Sequence, residues 1–199
     1  GAQPVSIATE KQRVVPVIRG LRKARPEGLI SVDTRHAEVA LAALEAGADL
    51  VNDVSGLREP AMVDVVLRTG CGVCIMHMQG EPGSMQANPT YANVVKEVGT
   101  MLEQVKRHLV DEGHPEELIC VDPGIGFGKT QDHNIALLRS GRQLLSSEGS
   151  LLWGVSRKSV VGHLTGHTHP EDRLAGTLGL AAVAHGMQID VLRVHDVEE

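Results

Sequence analysis

The run Leu118-Ile119-Cys120-Val121-Asp122 decides the fold: four apolar residues in a row, then a carboxylate, then the turn formers Pro123 and Gly124. An unbroken apolar run suits a strand covered on both faces, whereas a strand with one wet face alternates apolar and polar residues. The design recurs at residues 29–32, 50–54, 72–76, 151–155 and 191–194, which gives six expected strands. Nearly all of them reach a polar group at the carboxyl end: Asp33, Asn52, His77, Asp122, Arg157 with Lys158, and Arg193 with His195.

Between the runs, apolar residues return at helical spacing. Val14, Val17, Ile18 and Leu21 form one such face, and Val39, Ala42, Ala43 and Ala46 form a second, closed by Gly47. Met62, Val65 and Val66 follow Pro60 and precede Gly70, a helix start and stop. Val94, Val98, Met101, Leu102, Val105 and Leu109 predict a long helix before Gly113, and Leu174, Leu178, Ala181 and Ala182 another before Gly186. Strict alternation of strand and helix implies parallel strands joined by right-handed crossovers, in an open doubly wound sheet or a closed barrel. The polar strand ends favour the barrel, because a barrel gathers every such end around one mouth and an open sheet only those at its switch point.

At 199 residues and 42% hydrophobic content the chain can bury one core, and no break in composition marks a second domain. A net charge of −6 with scattered Lys and Arg leaves no electrostatic footprint for nucleic acid or an anionic membrane. No apolar run approaches a membrane span, and a cytoplasmic setting is expected. Cys71-Gly-Val-Cys74 has the spacing of a redox motif but sits in an extended apolar segment, where residues three apart face opposite ways, so buried structural thiols are expected.

Taken singly, the strand-end groups have plain structural readings: Asp33 as a helix cap, Asn52 with Asp53 as a turn, Asp122 as turn chemistry. Their repetition is what suggests a site. The stretch Asp122-Pro123-Gly124-Ile125-Gly126-Phe127-Gly128-Lys129-Thr130 has the glycine content of a phosphate loop. It lacks the Walker glycine where Pro123 stands and the dinucleotide glycine where Lys129 stands. The glycines suit a tight excursion carrying Phe127, the only Phe in a chain that is 2% aromatic. Gly154-Val155-Ser156-Arg157-Lys158-Ser159 places two cations before an expected helix, which is friendly to anions. Arg193 and His195, two apart on one side of the last strand, suit a diphosphate. His163, His167 and His169 lie in a Gly/Thr-rich loop too shallow for the preorganised cage that zinc needs.

In their order and spacing, Ile30-Ser31-Val32-Asp33-Thr34, Val51-Asn52-Asp53, Met76-His77-Met78-Gln79-Gly80, residues 122–129, Ser156-Arg157-Lys158-Ser159 and Arg193-Val194-His195-Asp196-Val197 resemble the dihydropteroate synthases. These are the folate-pathway enzymes targeted by sulfonamides, and the resemblance covers essentially the whole chain. It implies a parallel (β/α)8 TIM barrel that condenses 6-hydroxymethyl-7,8-dihydropterin diphosphate with 4-aminobenzoate, giving 7,8-dihydropteroate and diphosphate with Mg2+ assistance. Asp33, Asn52, Met76, Asp122 and Lys158 would meet the pterin, and Arg193 and His195 the diphosphate. Phe127, Lys158 and Ser159 would border the aminobenzoate, with Lys158, Arg193 and His195 as the catalytic set. A cytoplasmic homodimer acting on small molecules is implied.

The family pattern opens with two further strands, whose loops supply a metal-binding Asn and a Thr-Arg pair, and closes with one further helix. Gly1-Ala2-Gln3-Pro4 matches the residues just past that Thr-Arg pair. The expectation is therefore one incomplete barrel domain over residues 1–199, an excerpt without its own metal ligand, which in isolation folds poorly and has little synthase activity. Two other readings stand beside it. A pterin-dependent methyltransferase domain resembles the same barrel but has no diphosphate for Arg193 and His195 to hold. A non-catalytic pterin-binding module would bind without turnover.

Overall fold

The computed structural model describes residues 5–199; Gly1-Ala2-Gln3-Pro4, and the match made for them above, lie outside the described residues. Strands and helices alternate as expected. Helices α1 (Ile7–Ala24), α2 (Ala37–Glu45), α3 (Pro60–Thr69), α4 (Val94–Asp111), α5 (Gln131–Ser140), α6 (Ser159–Thr165) and α7 (Leu174–Gly186) are interleaved with strands β1 (Ser31–Asp33), β2 (Leu50–Asp53), β3 (Gly72–Met76), β4 (Ile119–Asp122), β5 (Ser150–Trp153) and β6 (Val191–Leu192). The fold class is α/β. The chain divides into two compact units: residues up to Met76 together with Gln104–Cys120, and His77–Glu103 together with Val121–Glu199.

In the first unit β1, β2 and β3 pair in chain order and run parallel, with Val32 opposite Val51 and Val51 opposite Val73. Those three valines are buried, as is Met62 of α3 behind them in sequence. α3 begins with Pro60 in its first turn and ends on Gly70 in the left-handed conformation, the stop that its sequence promised. Arg22 of α1 fixes the turn between α2 and β2, donating to the Gly47 carbonyl at 2.7 Å while pairing with Asp49. Two expectations fail here. β1 begins at Ser31, since Leu29 is 92% exposed, and only the central Val32 of this strand is buried, so it is not covered on both faces. On α1, Ile18 alone is buried while Val17 and Leu21 are exposed.

In the second unit β5 and β6 are parallel neighbours, with Trp153 opposite Leu192. His77, the residue after β3, donates its N–H to the Asp122 carbonyl at 3.0 Å, which fixes the end of β4. Residues 119–122 are all buried, as the unbroken apolar run requires. The last strand is shorter than its apolar run suggests and stops at Leu192. Arg193 still donates to the Trp153 carbonyl at 3.0 Å, but His195 lies past the strand, so the two are not a same-side strand pair. Sequence periodicity missed α5 altogether. All three cysteines are free and buried, in keeping with structural thiols. Among the described residues no helix is long and apolar enough to cross a membrane.

Candidate active site

β4 delivers Asp122 into a setting where it is only 5% exposed. Its Oδ1 accepts the Gly124 N–H at 2.7 Å, closing the first turn of the following loop. Burial pushes the Asp122 carboxyl above the ordinary carboxylate range, while Lys158, Lys129 and Arg193 pull in the opposite direction without prevailing. A raised acid surrounded by cations has found its counter-charges but not water.

The end of β5 supplies the geometry around it. A β-carbon placed on Gly154 would lie 3.6 Å from Lys158 Nζ, 3.8 Å from Asp122 Oδ2 and 4.0 Å from Arg193 Cβ. Carboxylate, ammonium and the arginine stem thus converge on the space that glycine leaves open. Lys158 Nζ donates to the Ile125 carbonyl at 2.7 Å and stands 4.7 Å from the centroid of the Phe127 ring, within range of a cation–π attraction. Phe127 is half-buried.

The loop between β4 and α5 is tied down at each step. Phe127 N–H donates to the Gly124 carbonyl at 3.0 Å, and Gly126 N–H to the buried Asn134 side chain at 2.8 Å. Tyr91 Oη donates to the Gly128 carbonyl at 2.7 Å, and burial lifts that phenol to about 12. Lys129, 3% exposed, donates to the Phe127 carbonyl at 2.9 Å and meets His77 through both the ring Nδ1 and the carbonyl.

The remaining candidates differ from one another. Ser159 is exposed and its Oγ accepts from Gln131 at 3.3 Å. His195 is also exposed, with its Nδ1 2.9 Å from Ser156 Oγ. The expected pair of anion-holding cations after β5 is not formed: Arg157, at φ 59°, turns to Asp196, donating through Nε at 3.0 Å, and this contact holds the Asp196 carboxyl below its ordinary range. The helix that follows has seven residues, with Lys158 as its N-cap, and makes no side-chain cap.

In the first unit, Asn52 is 9% exposed and its Oδ1 is buried without a hydrogen-bond partner. A buried amide oxygen left so costs about 1–3 kcal/mol, which a ligand donor would offset. Asp53 beside it is fully buried and shapes the turn, accepting from Ser55 N–H and Leu57 N–H at 2.7 and 2.9 Å. Met76 is buried, so it can form apolar wall, but Asp33 is exposed and does not cap α2, whose N-cap is His36. Asp122 and Asn52 are thus each buried within their own unit, whereas Asp33 is exposed. Among the described residues no three His, Cys, Asp or Glu side chains gather as a metal site, and His163, His167 and His169 are exposed.

His77 and Lys129, which the sequence offers without a role, and Tyr91, which no sequence pattern singles out, turn out to hold the site's loop. A lysine closing a glycine-rich run and a histidine closing an apolar strand were the available signals.

A family model described as pterin binding enzyme matches residues 1–195. The chain is 40% identical over 200 residues to the dihydropteroate synthase of Escherichia coli K12, covering 100% of this chain and 70% of that protein. The Yersinia pestis dihydropteroate synthase solved with a sulfonamide drug superposes with a TM-score of 0.92 at 38% identity, over 98% of this chain and 70% of that one. The Burkholderia cenocepacia enzyme complexed with 7,8-dihydropteroate gives 0.91 at 40% identity, over 99% and 72%.

Proposed function

Since the chain belongs to the pterin-binding enzymes and groups there with the dihydropteroate synthases of folate biosynthesis, we propose that the constellation over Gly154 binds the pterin diphosphate and directs its condensation with 4-aminobenzoate. The observation that carries this reading is the approach of Asp122 Oδ2, Lys158 Nζ and Arg193 Cβ to one empty position. A pterin offers a planar edge of ring and exocyclic N–H donors. Asp122 accepts them in charge-assisted hydrogen bonds worth about 1.5–3 kcal/mol each; for Asn52 of the first unit a pterin role rests on the resemblance of its motif, with its buried Oδ1 still lacking a donor. Met76 and Asp33 are assigned to the same substrate on the resemblance of their motifs.

In the reaction the arylamine nitrogen forms a bond to the pterin methylene carbon as the C–O bond to diphosphate breaks. The electron pair leaves with diphosphate, and the amine proton passes to water. Lys158 and Arg193, with His195 exposed beside Ser156, stabilise the charge growing on the departing group. Phe127 and Ser159 border the arylamine, the ring of Phe127 fixing Lys158 between the two substrates. Binding energy at the pterin end is used to orient the methylene carbon, and no protein nucleophile is required.

Mg2+ belongs to the proposal as an ion that arrives on the diphosphate, because Mg2+ keeps several waters and takes substrate phosphates with one or two carboxylates. The cation-rich surroundings of Asp122 do not suit it as a metal ligand. The reading carries with it the family's (β/α)8 barrel, a cytoplasmic setting and a homodimer, to which exposed Leu178 and Val183 on the apolar helix α7 lend support. Sulfonamides, as in the Yersinia pestis complex, are its expected inhibitors. Incubation of the natural protein with pterin diphosphate and 4-aminobenzoate is expected to release diphosphate and dihydropteroate in equal amounts. Methyl transfer from methyltetrahydrofolate, or pterin binding without diphosphate release, would displace the reading.

A further inference from the structure

Lys129 touches no proposed substrate, yet it is among the most buried cations of the second unit. Its Nζ has three donors and meets three acceptors: the Phe127 carbonyl at 2.9 Å, the His77 Nδ1 at 3.0 Å and the His77 carbonyl at 3.2 Å. The ammonium is thereby fully used, and it joins the segment after β3 to the loop after β4. Two further ties run between the same segments. Tyr91 Oη donates to the Gly128 carbonyl at 2.7 Å, and a β-carbon on Gly128 would collide with the Gln79 carbonyl oxygen and lie 3.0 Å from Gln79 N. The groups facing Lys129 are His77, Asp122 and Lys158, with the Tyr91 ring 6.0 Å from that of His77. Burial brings the lysine down to about 7 against the pull of Asp122, so this contact is maintained at a cost in stability.

We propose that Lys129 is a positioning residue of the synthase reaction: held by His77, it fixes the Phe127 carbonyl, and through the Phe127 ring it sets the place of the Lys158 ammonium and the shape of the arylamine subsite. The inference rests on the reading above. Phe127 carries the direct contacts toward the arylamine side, since Lys129 reaches its carbonyl and Lys158 stands over its ring, while the Lys129 charge also acts on Asp122. A loop with three positive-φ glycines, at 124, 126 and 128, has no regular hydrogen-bond ladder to hold that ring, so side chains must do so.

The test compares KM for each substrate and kcat in the wild-type protein, Lys129→Met, Phe127→Ala and the double variant. Lys129→Met is expected to raise KM for 4-aminobenzoate about tenfold and KM for the pterin diphosphate, through the lost charge near Asp122, by clearly less, a split that general destabilisation does not produce. If Lys129 acts through Phe127, the double variant is no worse than Phe127→Ala alone. An equal rise in both KM values, or losses that multiply in the double variant, would overturn the inference while leaving the synthase reading intact. Natural wild-type protein that turns over neither substrate overturns the reading and this inference with it. Should Lys129→Met not fold by circular dichroism, His77→Leu keeps the lysine and removes its side-chain acceptor, and the same split is expected at smaller size; its absence there also counts against the proposal.

Discussion

A methyl group on Gly154 would meet Lys158 Nζ and Asp122 Oδ2 at 3.6 and 3.8 Å, ordinary van der Waals distances, and this residue is not among the positive-φ glycines. Gly154→Ala should therefore fold almost as the wild type does, with Tm unchanged within about 2–4 °C. The methyl nevertheless fills the position assigned to the pterin, so synthase turnover is expected to fall at least about tenfold. Loss of stability together with activity would mean that the glycine serves packing instead. Lys129 gives a second test at this scale. Its folded value of about 7 lies below the ordinary 10.5, so between those values the unfolded chain binds more protons and this group's contribution to stability rises with pH, falling away as pH drops toward 7. Urea unfolding from pH 7 to 10 should show a steeper rise for wild type than for Lys129→Met, by at most about 1.4 kcal/mol per pH unit. Identical slopes would show that the lysine titrates normally.

The residue scale also divides what could be read in advance from what could not. Asp122, Lys158 and Arg193 were legible because each follows an apolar run whose strand direction is fixed by the alternation. Arg157 was misread as an anion ligand because its partner Asp196 lies 39 positions away, and no local pattern announces that pairing. Asp33 was legible as a strand end, but its exposure was not, because a strand end specifies direction while burial depends on what covers it.

Among the elements, β2, β3, β4 and β5 were legible from unbroken apolar runs, and their residues are buried throughout apart from the first residue of β2, β3 and β5. α5 was not legible. Its capping box uses His133 in place of Glu or Gln, the ring accepting the Thr130 N–H at 3.2 Å, and its buried positions include the polar Asn134. The loop that it follows is set by close backbone approach. Gly128→Ala combines a left-handed φ of 60° with a collision against the Gln79 carbonyl, so a loss of about 2 kcal/mol or more is expected in denaturant unfolding. A neutral result would show that the two segments can part without cost. Proline and glycine signals, by contrast, placed α3 correctly, since Pro60 fixes φ and Gly70 tolerates the left-handed φ of the cap, both independent of tertiary context.

For the whole molecule, a net charge of −6 has to be reconciled with substrates that are themselves anionic. The reconciliation is local: Lys158 and Arg193 stand beside Asp122, and a low-dielectric setting makes nearby charges count for more than distant ones. Relatedness at 40% identity and TM-scores above 0.9 establish the family, and the convergence over Gly154 is the feature on which the assignment of the site depends. The most direct measurement is a crystal structure of the protein with 7,8-dihydropteroate. The donor edge of the pterin is expected within hydrogen-bond distance of Asp122, lying over Gly154, with the benzoate ring against Phe127. Product bound elsewhere, or Asp122 left without a ligand donor at full occupancy, would contradict the account.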